Sequence, residues 1–325
     1  MKAPLSLLIL LFITPAACWR LKIRRDLRFL LIPPSIFFTA AIASGLNIGL
    51  RHILPIFPFL IIIAAVTAWQ LASRSRAGLG IVVALLALEV ISSLHTFPNY
   101  ITYANQLAGG AGNAHRYMTD SSVDWDQGIA QLATYLSTRG ITDCWLASRA
   151  SDAELEYYGI PCRPLLAGFG YRLGRPAADF PGVVTGTILI SANEAAGQAW
   201  GPDELNPYRQ FYDTQSNEIV GNSILVFNGR FDVSLASAMN HAVRARQLAA
   251  EKRWTEAEQE ARAGLALASD SAEMNARLCL VLRDSGKTAE AAQYCETAMA
   301  IAHKRHPEYS LRRMPSVAAV AALKD

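Results

Sequence analysis

Two groups of residues in this sequence could do chemistry. The first is Arg51 and His52, within Asn47–Leu60 (NIGLRHILPIFPFL), a polar step between two long apolar segments. Cations at the end of a membrane helix lie at the depth of a phosphate headgroup, and an Arg fork matches phosphate oxygens in shape and charge. Pro55 and Pro58 just beyond would bend the chain there. The competing reading is an arginine that snorkels to the interface and merely anchors a helix end. The second group is Asp120, Asp124 and Asp126 around Trp125, followed by Gln127. Three carboxylates within seven residues could bind a divalent cation, yet the run lacks the ligand alternation and glycine of an EF-hand loop. Asp120-Ser121-Ser122 ahead of an amphipathic run also looks like a helix N-terminal cap. Capping with packing of Trp125 is the preferred reading. As general acid or base these groups have only His115 as a visible partner. Glu89, near the end of an apolar run, is expected to snorkel outward. No Walker loop, Rossmann glycine fingerprint, HExxH or GxSxG occurs, so nucleotide, hydride and hydrolase chemistry have no support. No metal site or cofactor is assigned.

The elements that must position these groups begin with a membrane region. Residues 1–95 hold nine Lys/Arg and two acids, against 21 and 25 in the remainder. The net charge of +3 is therefore no sign of nucleic acid; the early basic residues suit anionic lipid headgroups. Four stretches approach the roughly 20 apolar residues a bilayer needs, at about 3–19, 29–50, 53–73 and 77–94. Arg20, Lys22, Arg24, Arg25 and Arg28 crowd the first loop, and Arg74 with Arg76 mark the third. That pattern puts loops one and three in the cytoplasm of a bacterial inner-membrane protein, with residues 96–325 on the extracytoplasmic side. A cleaved signal peptide is the lesser reading of the first stretch; Pro15 and the basic residues after it oppose it. Cys144 could pair with Cys162, and Cys279 with Cys295, though burial as small apolar residues accounts for all four as well and is preferred.

Residues 96–230 read as a small α/β domain. An amphipathic helix over Asp124–Arg139 is closed by Gly140, a strand over Asp143–Ser148 follows, then a short helix over Asp152–Tyr158. Thr185–Ser191 and Ser223–Asn228 are further strand-like runs. Residues 231–325 turn Ala-rich with a period of 34: Arg253–Ala257 aligns with Lys287–Ala291, and Ala257, Ala261 and Gly264 with Ala291, Cys295 and Ala298. Small residues at these offsets mark tetratricopeptide-like repeats, with Leu265 and Met299 filling the groove and Met314–Leu323 as a partial cap. The fold expected is a multi-domain membrane protein: an α-helical transmembrane bundle, a small α/β extracytoplasmic domain and an α-helical C-terminal repeat.

Four segments carry a resemblance over approximately residues 1–165. Met1-Lys2-Ala3-Pro4 looks like a Lys-Thr-Pro entry to a late membrane helix, and Asn47–Pro55 is similar to an Arg-His-x-Leu-Pro loop. Pro98-Asn99-Tyr100 through Gly110 looks like Tyr-x-x-Tyr-x-Asn-x-x-x-Gly-Gly, and Asp120–Gln127 resembles Asp-Ser-Asn-x-Asp-Trp-Gly-Gln. Together they resemble the C-terminal half of GT-C fold glycosyltransferases, the lipid-carrier-dependent group that includes protein mannosyltransferases and lipid A sugar transferases. Ser122 stands for the usual Asn, Asp126 for the Gly and Gly128 for a further Asp. The family's catalytic Asp lies in an early external loop that nothing in residues 1–95 replaces. The resemblance implies a polyprenyl-phosphate sugar donor and a lipid-phosphate environment at Arg51 and His52, without autonomous catalysis. The alternative is a non-enzymatic membrane-anchored scaffold whose repeats bind a protein partner. Its other partner in either case is membrane lipid.

Overall fold

In a computed structural model the described residues are 1–19, 24–45, 49–200, 205–305 and 314–323. Asn47 and the first-loop residues Arg20 and Lys22 lie outside them. The chain forms two compact units, Met1–Val123 and Asp124–Asp325. Packing thus divides it inside the Asp-Trp segment, where composition suggests no break.

The first unit opens with α1 (Leu5–Trp19), α2 (Arg24–Ala43), α3 (Phe57–Arg74) and α4 (Arg76–Thr96). A 3-10 turn over Leu50–Ile56 leads directly into α3. Two helical stretches, Leu50–Arg74 and Arg76–Thr96, are long and apolar enough to cross a membrane. The apolar parts of the other two, Leu5–Pro15 and Phe29–Ala43, fall short of that length. The run expected to continue to residue 50 stops at Ala43, and Gly45 turns the chain with φ of 65°. Pro58 does not bend a helix either; it starts α3, where its missing N–H costs nothing. Between α3 and α4 the link is one extended residue, Ser75, whose hydroxyl accepts from Gly78 N at 3.0 Å. A Cβ at Gly78 would collide with the Leu71 carbonyl, so this turn requires glycine. α1, α3 and α4 pack together. Their polar groups face one another: Thr14 and Thr67 hydroxyls lie 2.9 Å apart, and Ser6 donates to Glu89 at 2.5 Å. Glu89 therefore turns inward to Ser6 rather than snorkelling, because a hydrogen-bonded carboxyl is cheaper than one facing lipid.

The second unit is built on a five-stranded sheet. In chain order its elements are α5 (Ile129–Arg139), β1 (Cys144–Ala147), α6 (Asp152–Tyr157), β2 (Arg163–Pro164), α7 (Gly168–Leu173) and β3 (Val183–Ser191). Then come α8 (Ala192–Ala195), α9 (Arg209–Asp213), β4 (Glu218–Val220) and β5 (Ile224–Asp232). Sheet order is β2-β1-β3-β5-β4, parallel among the first three and antiparallel beyond. Period-two alternation sends Cys144, Leu146, Leu189 and Val226 to one face, against α5 and α6. Trp145, Ile188, Ile190 and Phe227 go to the other face, where Tyr171, Trp200 and Tyr208 join them. Both faces are covered where the central strands are apolar, at Cys144–Ala147, Ile188–Ile190 and Ile224–Phe227, while the remaining halves of β3 and β5 are more polar and largely exposed.

Five helices complete the unit: α10 (Ser234–Ala250), α11 (Trp254–Leu267), α12 (Ala272–Asp284), α13 (Thr288–Arg305) and α14 (Pro315–Ala321). α10 packs on α11, α12 on α13, and α14 on α12. The buried small residues Ala245, Ala257, Ala261, Gly264 and Ala291 line the helix contacts. Ala238, Met239, Ala276 and Met299 share one buried cluster with the sheet, so no gap in packing falls at 230/231. Glu273, 1% exposed, accepts from the backbone N–H of Ser316 and Val317 and holds the start of α14. Both cysteine pairs are disulfides, Cys144–Cys162 and Cys279–Cys295, which replaces the preferred reading of four free buried thiols. Proximity of strand or helix partners decides such pairing, and spacing alone does not show it.

A side chain at Gly264 would meet the Ala238 carbonyl at 2.9 Å. Gly264→Leu should push α11 off α10 and lower stability by about 1–3 kcal/mol, read as a lower thermal midpoint of the full chain. An unchanged midpoint would contradict this close packing.

Candidate functional site

In the first unit the resemblance-bearing segments converge. Asn105 N and Nδ2 donate to the Met1 and Ala3 carbonyls at 2.8 and 3.0 Å, and Lys2 Nζ reaches the Ile101 carbonyl at 2.5 Å. Four short 3-10 turns, Tyr100–Thr102, Gln106–Ala108, Ala111–Arg116 and Asp120–Ser122, carry the chain after α4. The last of them meets the Arg51 loop. Arg51 donates to Asp120 Oδ2 at 3.4 Å, across 69 residues of sequence. A Cβ at Gly49, whose φ is 72°, would sit 2.5 Å from Ser122 Oγ, so this approach also depends on glycine. His52 stands beside Arg51 with Nε2 3.4 Å from Ser44 Oγ. The Arg51 and Asp120 side chains are 53% and 34% exposed. An exposed, long ion pair of this kind contributes about 0–1 kcal/mol, and a phosphate could displace the carboxylate at little cost. His115 belongs to the same unit and is buried, with Nδ1 unpartnered. Burial and the nearby Arg116 push its pKa down.

Asp124, Asp126 and Gln127 belong to the second unit and Asp120 to the first. Nor does the segment cap a helix. α5 begins only at Ile129 after Gly128, with no side-chain cap, because Asp126 takes a left-handed φ of 61° that aspartate tolerates. Asp124 is instead 3% exposed, at the carboxyl end of β3. Its Oδ2 accepts from the Ser191 hydroxyl, its Oδ1 from Asp126 N at 3.0 Å, and its carbonyl from Asn193 Nδ2 at 2.8 Å. Asp126 accepts from Arg149 N at 3.2 Å and pairs with Arg149 Nε at 3.4 Å. Gln127 Oε1 takes the Trp125 N–H at 2.6 Å, fixing the turn. Trp125 is not packed away: it is 48% exposed, and the Arg149 guanidinium lies 3.8 Å over its ring and 4.9 Å from that of Phe169.

The location has a topological meaning. From β1 the chain leaves to α6 on one face, whereas from β3 it leaves to α8 and α9 on the other. Crevices at such a reversal, outside the carboxyl ends of the strands, are where open α/β sheets bind ligands. Here Asp124 fills the crevice from within the chain. A third carboxylate, Glu194, lies just past β3 and accepts from Gly168 N at 3.0 Å and Trp200 Nε1 at 2.7 Å.

Burial dominates the electrostatics. It pushes the Glu194 carboxyl up to about 7 against the hydrogen bonds from Gly168 and Trp200. Burial and the neighbouring Asp124 push Asp126 up to about 6. Asp124 is raised too, although the Ser191 hydroxyl holds it down in part. The Ser191 hydroxyl faces a carboxylate and no imidazole, so the pair lacks the base of a nucleophilic dyad. Among the described residues no group of three or more His, Cys, Asp or Glu side chains is set to hold a metal ion. What the arrangement does is lock residues 124–128 to the sheet. Ser191, Glu194, Arg149 and Phe169 escaped the sequence reading; the polar Ser-Ala-Asn-Glu run directly after an apolar strand is the signal that could have found two of them.

Because Glu194 and Asp126 titrate higher folded than unfolded, the folded unit holds more protons between pH 4 and 7. Stability is therefore fullest at low pH in that window and is lost as pH rises through the folded values. The thermal midpoint should fall from pH 5 to pH 8, followed by intrinsic tryptophan fluorescence, and Glu194→Gln should flatten that slope. An equal slope in the variant would show that Glu194 is not the source. No protein-family model, curated protein or solved structure matches the chain.

Proposed function

We propose that this chain forms the donor-phosphate and extracytoplasmic part of a membrane glycosyltransferase that uses a polyprenyl-phosphate sugar. The observation that carries this reading is the Arg51–Asp120 pair, which joins two separate motif segments at the foot of a candidate span. In this reading Arg51 exchanges Asp120 for the lipid phosphate, His52 adds a second polar contact, and all four apolar helices sit in the bilayer. Sugar transfer in this reading requires a carboxylate in the place of the family's early external loop, which residues 1–95 do not supply. Two disulfides in the second unit fit an oxidising compartment and agree with an extracytoplasmic residue range of 96–325 in a bacterial inner membrane. The paired C-terminal helices, with small residues at their contacts, resemble tetratricopeptide hairpins and serve in this reading to dock a protein partner.

Binding is the direct test, because it needs no catalytic partner. The full chain in lipid nanodiscs should bind polyprenyl phosphate in preference to the matching polyprenol. Arg51→Ala should weaken the phosphate lipid about tenfold or more, as loss of a charge-assisted bond worth about 1.5–3 kcal/mol would. Equal binding of phosphate and alcohol, insensitive to Arg51, would leave the membrane-anchored scaffold as the better account.

A further inference from the structure

At the carboxyl ends of β1 and β2, beside the Asp124 crevice, a cavity of about 580 Å³ opens between α6 and α7. Buried leucines from β1 and the segment after β2 form its floor. Its rim carries Ser148, Arg149, Asp152, Phe169 and Arg175. These groups make different demands. Arg149 is held flat against Trp125 and Phe169, and Asp126 already offsets its charge. Arg175, a lining residue, is exposed and forms no ion pair among the described residues, so its charge is left for an anion. Asp152 is an exposed carboxylate and can only accept, so it calls for a donor hydroxyl. Ser148 can meet either need. Phe169, 42% exposed, presents apolar ring to the opening and calls for a C–H face.

A sugar acid or sugar phosphate offers all three at once: hydroxyl donors, a negative charge and an apolar C–H face. We propose that this cavity binds an anionic sugar, with Arg175 on the charge, Asp152 and Ser148 on ring hydroxyls and Phe169 against the ring face. Its place at the carboxyl ends of parallel strands is where such a sheet accepts ligands. The Asp124 lock supports it by holding Asp126 against Arg149, which lines it. The cavity belongs to a different unit from the Arg51 loop, and the proposal stands whether or not the donor reading holds.

The test titrates the full chain in nanodiscs with glucuronate, glucose 1-phosphate, glucose and inorganic phosphate, read by ligand-observed NMR. Glucuronate or glucose 1-phosphate should saturate, and glucose and inorganic phosphate should each bind about tenfold more weakly. Arg175→Gln should cost the anionic sugar about tenfold and Phe169→Ala a smaller factor; both sites are exposed, so folding is spared. Polyprenyl-phosphate binding on the same discs reports separately on the donor reading. The proposal is overturned by three outcomes: neither anionic sugar saturating, both cavity variants binding like the parent, or inorganic phosphate binding as tightly as the sugars.

Discussion

A carboxylate taken out of water must be hydrogen-bonded where it lies, and Asp124 meets that requirement only at the end of β3. Its oxygens are committed to the Ser191 hydroxyl and the Asp126 N–H, and its carbonyl to Asn193. Those bonds place Asp126 within reach of Arg149, and Arg149 in turn lies over Trp125 and Phe169. The start of α5, the loop after β1 and the rim of the neighbouring cavity therefore inherit their positions from one buried acid. Coupling of this kind is high-stakes, because each polar group is satisfied only while the others stay in place.

The same eight-residue segment contains two aspartates with opposite physical careers. Asp120 is partly exposed, in a left-handed turn, and makes a long ion pair with Arg51 that solvent and salt screen. Asp124 is buried and raised in pKa, its carboxyl held by the Ser191 hydroxyl and the Asp126 N–H. The boundary between the compact units falls between them. One aspartate suits a reversible contact with the Arg51 cation and the other a permanent lock.

How much of this was legible in the sequence follows from range. The apolar strand at Thr185–Ser191 and the end of α5 at Gly140, with its φ of 65°, could be read locally. So could the small residues Ala257, Ala261 and Gly264, which are buried at helix contacts. The capping reading of Asp120–Ser122 failed because a local preference for acids before a helix was overridden by Asp126, which delays the helix to Ile129. β2 has two residues, too few to leave a periodic signal. Glu194 gains its interest from Gly168, 26 residues away, and the disulfides from partners 18 and 16 residues away. Such pairings are properties of topology. Residue type and resemblance point to the Arg51 loop, whereas its pairing with Asp120, 69 residues away, comes from the fold.

The central claim is that the two aspartates do separate jobs, and one paired measurement tests it: polyprenyl-phosphate affinity and thermal midpoint of Asp120→Asn and Asp124→Asn in the full chain. Asparagine keeps the left-handed turn at position 120 and the side-chain shape at both positions. The account predicts that Asp120→Asn binds the lipid phosphate more tightly, through loss of the competing carboxylate, with an unchanged midpoint. It predicts that Asp124→Asn melts earlier while its affinity is unchanged. The reverse pattern, with affinity following Asp124 and stability following Asp120, would contradict it.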